Sequence, residues 1–242
     1  MMTRFLVLLF ATMNILATSA FADTLTIAAG AGYKRMVGEI IQAYENKTGQ
    51  KVAVIYGDMK EVMTQARAGG NVALVLGEQN FLKASDVRFT SFPKLGKGIL
   101  VIVYGKNVKL NKPEDLTESK ISKVGIANPN KTIYGKAAKE FLENFGLYKQ
   151  IEKKIVLIPT CPKILASLTD GEIQAGFVNL TEAIHLKDKI DGYLVVDETK
   201  YKPINLVFGV IRGFENRPET AQFLKFLQSN PEVKDIIKKS GL

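Results

Sequence analysis

Beyond the N-terminal segment, two five-residue runs in this chain are apolar at every position: residues 72–76 read Val-Ala-Leu-Val-Leu and residues 99–103 read Ile-Leu-Val-Ile-Val. A strand with one face in water alternates apolar and polar side chains, so a run that is apolar throughout must be covered on both faces. Between such runs lie stretches with apolar residues at helical spacing. Met36, Val37, Ile40, Ile41 and Tyr44 form one face before Gly49, and Ala137, Ala138, Phe141, Leu142 and Phe145 form another before Gly146. Further strands are expected at 25–29, 51–56, 98–104, 123–127, 155–158, 175–178, 193–196 and 206–211. Helices are expected over 58–68, around Ile164, Leu165 and Leu168, from Glu182, and from Ala221. That alternation predicts an α/β chain of mostly parallel sheets flanked by helices, and such sheets hold ligands at the carboxyl ends of their strands.

The loops at those ends are therefore the candidate site. Residues 25–29 run through Gly30-Ala31-Gly32-Tyr33 into a helix, which leaves the first backbone N–H groups of that helix facing whatever fills the turn. A turn of this kind suits a small anion. With the loops around Asp58, Tyr134, Cys161 and Asn179, the one at Gly32 makes five candidate walls of a single cleft.

Residues 1–22 carry one basic residue, Arg4, an apolar run over 5–11 resumed by Ile15 and Leu16, and the small-residue end Ala20-Phe21-Ala22. This is the pattern of a secretory signal peptide cleaved after Ala22. Thr12, Asn14, Thr18 and Ser19 interrupt it too often for a span of about 20 apolar residues. The 220 residues that remain (242 − 22) contain one cysteine, Cys161, so no intramolecular disulfide is available and stability must come from packing. A bacterial periplasm is the expected location.

The chain carries 33 Lys+Arg against 24 Asp+Glu, a formal charge of +9. The basic residues are dispersed, with no stripe interleaved with aromatics, which argues against a nucleic-acid partner. His185 is the only histidine. Neither a histidine-rich metal site nor a Ser-His-Asp arrangement is supported, and no G-x-S-x-G, H-E-x-x-H or Walker loop is present. Catalysis is not expected.

Four patterns, in order along the mature chain, make the sequence resemble the bacterial periplasmic molybdate-binding proteins. They are Ala29-Gly30-Ala31-Gly32, where that family has a small-residue turn ending in serine; residues 65–76 (QARAGGNVALVL); Asn128-Pro129 with Gly135 and Ala138-Lys139; and Phe223-Leu224-Lys225-Phe226-Leu227 followed by Gly241-Leu242. The resemblance implies a two-lobed type II periplasmic-binding fold, with lobe one made of residues 23–98 and 208–242 and lobe two of 99–207. It also implies the substrate-binding component of an ABC importer: a monomer that closes over a tetrahedral oxyanion, molybdate or tungstate foremost, without a cofactor, and delivers it to a membrane permease.

Carrying the family's binding positions over gives Gly32 with its neighbour Tyr33, Met59 with its neighbour Asp58, Tyr134, Cys161 and Asn179. The family's two serines fall on Gly32 and near Met59, so those hydroxyls are absent. Backbone donors fall on Tyr134 and Cys161, and a ligand-facing tyrosine falls on Asn179, whose amide can still donate. Asp58 with Glu61 also fits a capping pair for the second helix. A second reading on the same fold is a hard cation such as ferric iron, held by oxygen from Tyr33, Tyr56, Asp58 and Tyr134. A third is an exported adhesin.

Overall fold

The computed structural model describes residues 24–105 and 108–242; the expected signal peptide lies outside them. Among the described residues no helix is long and apolar enough to cross a membrane.

The chain builds two sheets. It begins with β1 (Leu25–Gly30), α1 (Lys34–Thr48), β2 (Val52–Gly57), α2 (Met59–Arg67), β3 (Val72–Glu78), α3 (Gln79–Lys83), β4 (Phe89–Ser91) and β5 (Lys94–Gly98). The middle of the chain holds β6 (Leu100–Tyr104), β7 (Val124–Ala127), α4 (Ile133–Asn144), α5 (Tyr148–Ile151), β8 (Ile155–Ile158), α6 (Cys161–Thr169), β9 (Ala175–Asn179), α7 (Leu180–His185) and β10 (Gly192–Val195). Last come β11 (Ile204–Ile211), α8 (Pro218–Ser229) and α9 (Pro231–Lys239). The first sheet runs β2-β1-β3-β11-β4, with β5 also on β11; the second runs β10-β6-β9-β7-β8.

Both sheets are mixed. Parallel pairs β1–β2, β1–β3, β7–β8 and β7–β9 occupy one side of each sheet, where the helical crossovers are, so neither sheet is the mostly parallel one expected from sequence. The antiparallel pairs involve β6 and β11, the strands that follow each passage between sheets and so enter reversed. The apolar runs lie where two-sided cover is needed: residues 72–77 of β3 and 100–103 of β6 are all buried.

The passages are short and adjacent. Ile99 alone separates β5 from β6, and the return precedes β11, whose Ile204, Asn205 and Leu206 pair with Gly98, Lys97 and Gly96. The return to the first sheet thus falls before 204, ahead of the 208 boundary expected from sequence. Leu100 N–H donates to the Tyr201 hydroxyl at 3.2 Å, tying the two crossing segments together.

The C-terminal helices close the first lobe. Tyr44 of α1 meets Phe223 and Phe226 of α8 edge-on at 5.1 and 5.2 Å between ring centroids. Each such pair adds about 0.5–1.5 kcal/mol beyond burial of its area. Helix α1 ends where Gly49 takes φ +71°, a left-handed conformation that glycine adopts without Cβ strain.

Candidate functional site

The carboxyl ends of β1, β2, β7 and β8 face one another across the two lobes. After β1 the chain makes a 3-10 turn, Ala31–Tyr33, directly into α1; after β2 it starts α2; after β7 and β8 it starts α4 and α6. Residues 30–33, 57–59, 132–134 and 160–161 line a partly open cavity of about 40 Å³. A single water needs about 10–15 Å³ on the same measure, so the space suits a few waters or one small tetrahedral ion.

Three hydrogen bonds cross between the lobes around this cavity. The Tyr33 and Tyr134 hydroxyls are 2.6 Å apart, Asn179 Nδ2 donates to the Gly32 carbonyl at 2.9 Å, and Met59 N–H donates to the Lys131 carbonyl at 3.0 Å. Lys131 Nζ also lies 4.0 Å from Asp58 Oδ2. The site is therefore completed by both lobes together.

Local sequence decides which donors face inward. Asp58 caps α2: its Oδ1 accepts from Lys60 and Glu61 N–H, while Glu61 Oε2 accepts from Asp58 N–H. With Met59 N–H bonded to Lys131, the start of α2 has its own acceptors. Thr132 caps α4, accepting from Gly135 N–H and donating to the Asn128 carbonyl. Tyr134 and Cys161, in the first turns of α4 and α6, have N–H groups with no intrahelical acceptor. Thr160 precedes α6 without a side-chain capping bond.

Three groups lining the cavity, Tyr33, Tyr134 and Cys161, are held in their neutral forms. Burial, then the neighbouring Tyr134, raises the Tyr33 phenol well above its ordinary value, and burial raises Tyr134 likewise. Burial pushes the Cys161 thiol up to about 12, against a hydrogen bond from the Asn179 backbone. Two phenols and a thiol thus remain protonated at neutral pH.

Of the residues singled out from sequence, Gly32, Tyr33, Asp58, Met59, Tyr134 and Cys161 line the cavity. Asn179 stands behind Gly32: a Cβ at position 32 would lie 3.3 Å from Asn179 Oδ1. The small residue and the amide therefore share one space. Asn179 Oδ1 is buried without a hydrogen-bond partner. Tyr56 is not among the lining residues; its hydroxyl reaches the Lys34 carbonyl at 3.4 Å, because the alternation of β2 turns it towards α1. The four-residue oxygen cluster is therefore not assembled, and among the described residues no group of three His, Cys, Asp or Glu could hold a metal ion. Thr132 and Thr160, which supply cavity hydroxyls, were not singled out from sequence. Their signal is the N-cap position, with Cys-Pro following Thr160.

The sequence profile of the bacterial extracellular solute-binding proteins matches residues 25–242. The chain belongs to this family. The solute-binding protein is 29% identical to a putative binding protein of Haemophilus influenzae, over 92% of this chain and 93% of the relative. It is 24% identical to the molybdate-binding protein ModA of Rhodobacter capsulatus, over 93% and 90% of the two chains. Its fold matches the periplasmic molybdate-binding protein of Azotobacter vinelandii with a TM-score of 0.80 at 20% identity, covering 90% of this chain and 97% of that one. The architecture is the two-lobed type II periplasmic-binding fold.

Proposed function

We propose that this solute-binding protein is the periplasmic, monomeric ligand-capturing component of an ABC importer, exported through residues 1–22. It binds a small tetrahedral oxyanion, molybdate or tungstate foremost, between its lobes and presents the closed form to a membrane permease. No cofactor or catalytic step is involved.

The observation that carries this reading is the 40 Å³ cavity between the lobes, where the N–H groups of Tyr134 and Cys161 sit at helix starts. Partial positive charge at helix N-termini favours an anion, and N–H groups bonded to an anion bind more strongly than to a neutral acceptor. The cation reading has less support. Tyr33 and Tyr134 hydrogen bond to each other and are held as phenols, whereas a ferric site needs phenolate oxygen.

The test is thermal unfolding of the mature chain with molybdate, tungstate, sulfate, phosphate or ferric citrate. A ligand at a hundred times its Kd stabilises the fold by about 2.7 kcal/mol, a clear rise in Tm. Molybdate or tungstate is expected to give that rise. No rise with any oxyanion, together with a visible tyrosinate-to-iron absorption band, would overturn the proposal.

A further inference from the structure

Two sulfur-bearing side chains stand in the wall of the cavity, one from each lobe. Met59 is 2% exposed and Cys161 6% exposed, and both line the cavity. The thioether has a defined orientation. A Cβ placed on Gly30, itself a lining residue, would lie 3.7 Å from Met59 Sδ. A Cβ on Gly77, which lies in β3 outside the cavity, would lie 3.0 Å from Met59 Cε. The sulfur is thus turned to the turn after β1 and the methyl group to the core behind it.

Cys161 opens α6 on the opposite lobe and lines the cavity, and its thiol, which accepts a hydrogen bond from the Asn179 backbone, stays protonated. A buried thiol is a weak donor and a polarisable surface.

The strong donors around this cavity are few. The N–H groups of Asp58, Met59, Lys60 and Glu61 all have acceptors within the protein, and the Thr132 hydroxyl donates to Asn128. Of the two phenol hydrogens at Tyr33 and Tyr134, one is taken by the hydroxyl-to-hydroxyl bond. The apolar surfaces of Met59, Ile133 and Ala31 complete the lining. Sulfate, a small and strongly hydrated dianion, leaves more hydrogen bonds in water than such a wall can restore, and each unrestored one counts against binding. An anion with one soft, weakly hydrated apex loses less, and gains dispersion against sulfur.

We infer that the cavity prefers a tetrahedral anion bearing sulfur at one apex, with its oxygens on the helix N–H groups and Thr160, and its sulfur between Met59 and Cys161. Thiosulfate is the smallest probe of this class and has the charge and shape of sulfate. This inference rests on the oxyanion-binding reading of the same cavity. Met59 and Cys161 are, on this account, the specificity-determining residues.

The experiment is isothermal titration of the mature chain with molybdate, sulfate and thiosulfate, for the wild type, Cys161→Ser and Met59→Leu. Thiosulfate is expected to bind at least tenfold more tightly than sulfate. Each substitution is expected to shrink that ratio to within about threefold, and thermal unfolding of each variant establishes that it folds. A ratio near one in the wild type, or an undiminished ratio in both folded variants, overturns the inference while molybdate binding keeps the oxyanion reading intact. If none of the three anions binds, both readings fall together.

Discussion

The Tyr33 hydroxyl of the first lobe and the Tyr134 hydroxyl of the second meet at 2.6 Å, across 101 residues of sequence. Both rings are buried, so the contact exists only when the lobes are together. Removing one hydroxyl leaves the other buried without its partner, which costs about 1–3 kcal/mol, whereas removing both is nearly neutral. Tyr33→Phe and Tyr134→Phe are each expected to weaken anion binding by about tenfold or more by this estimate, and the double variant to bind better than either. A double-mutant cycle by titration calorimetry checks this; additive losses would show that the hydroxyls act independently.

Gly98 is the second element of that contact. A Cβ there would collide with the Tyr134 hydroxyl and lie 2.8 Å from Ile204 Cγ2, at the point where the chain passes between the sheets. Gly98→Ala is expected to lower stability by about 1–3 kcal/mol, the usual cost of overpacking. It should also weaken binding by displacing Tyr134. Adding Tyr134→Phe removes the colliding oxygen, so the Gly98→Ala loss measured by urea unfolding should be smaller in that background.

Much of this architecture is readable locally. The wholly apolar runs became the two-sided strands β3 and β6, and Asp58 with Glu61 forms the capping pair their spacing predicted. The passage between sheets falls at the 98/99 boundary expected from sequence, with β5 in the first sheet and β6 in the second. What escaped detection is short or non-local. The β5 segment, Lys-Leu-Gly-Lys-Gly, has no strand-like alternation of apolar side chains. In the site, the start of α2 was legible through its Asp58–Glu61 cap, whereas Thr132 and Thr160, before α4 and α6, were not. The Tyr33–Tyr134 bond was not, since it depends on how two lobes dock rather than on either local sequence.

Asn179 carries a cross-lobe bond beside the cavity. Its Nδ2 donates to the Gly32 carbonyl at 2.9 Å, and its side chain occupies the space a larger residue 32 would need. Asn179→Leu is expected to weaken binding about tenfold, the equivalent of about 1.4 kcal/mol. Circular dichroism should show the fold retained. Gly32→Val crowds the same space and should match that loss; normal affinity in both variants would place the anion elsewhere.

Glu182 makes stability depend on pH. It is 2% exposed in α7, and burial pushes its carboxyl up to about 7 from 4.5, opposed by Arg35 of α1. The folded state holds this proton more tightly than the unfolded chain, so the stabilisation is complete below pH 4.5 and lost as pH rises through about 7. The loss is about 3 kcal/mol at most. Glu182→Gln stays neutral and should flatten the Glu182 part of the profile, making the variant relatively more stable at pH 8 than at pH 5. Parallel wild-type and variant profiles in urea unfolding would assign the slope to another group.

Asp58 separates the anion and cation readings in one substitution. Asp58 lines the cavity, and its carboxylate caps α2 through Oδ1 and stands 4.0 Å from Lys131 Nζ through Oδ2. Asparagine caps a helix as well as aspartate, so Asp58→Asn should leave the unfolding midpoint close to that of the wild type. It nevertheless removes one negative charge from the wall. A dianion then meets less repulsion and is attracted by a Lys131 no longer neutralised, so molybdate affinity should rise several-fold, most clearly at low ionic strength. A hard cation would instead lose an oxygen ligand and bind more weakly. Titration of the same variant with molybdate and with ferric citrate therefore gives opposite signs under the two readings, and only a gain for the anion agrees with a cavity that holds two phenols and a thiol in their protonated forms.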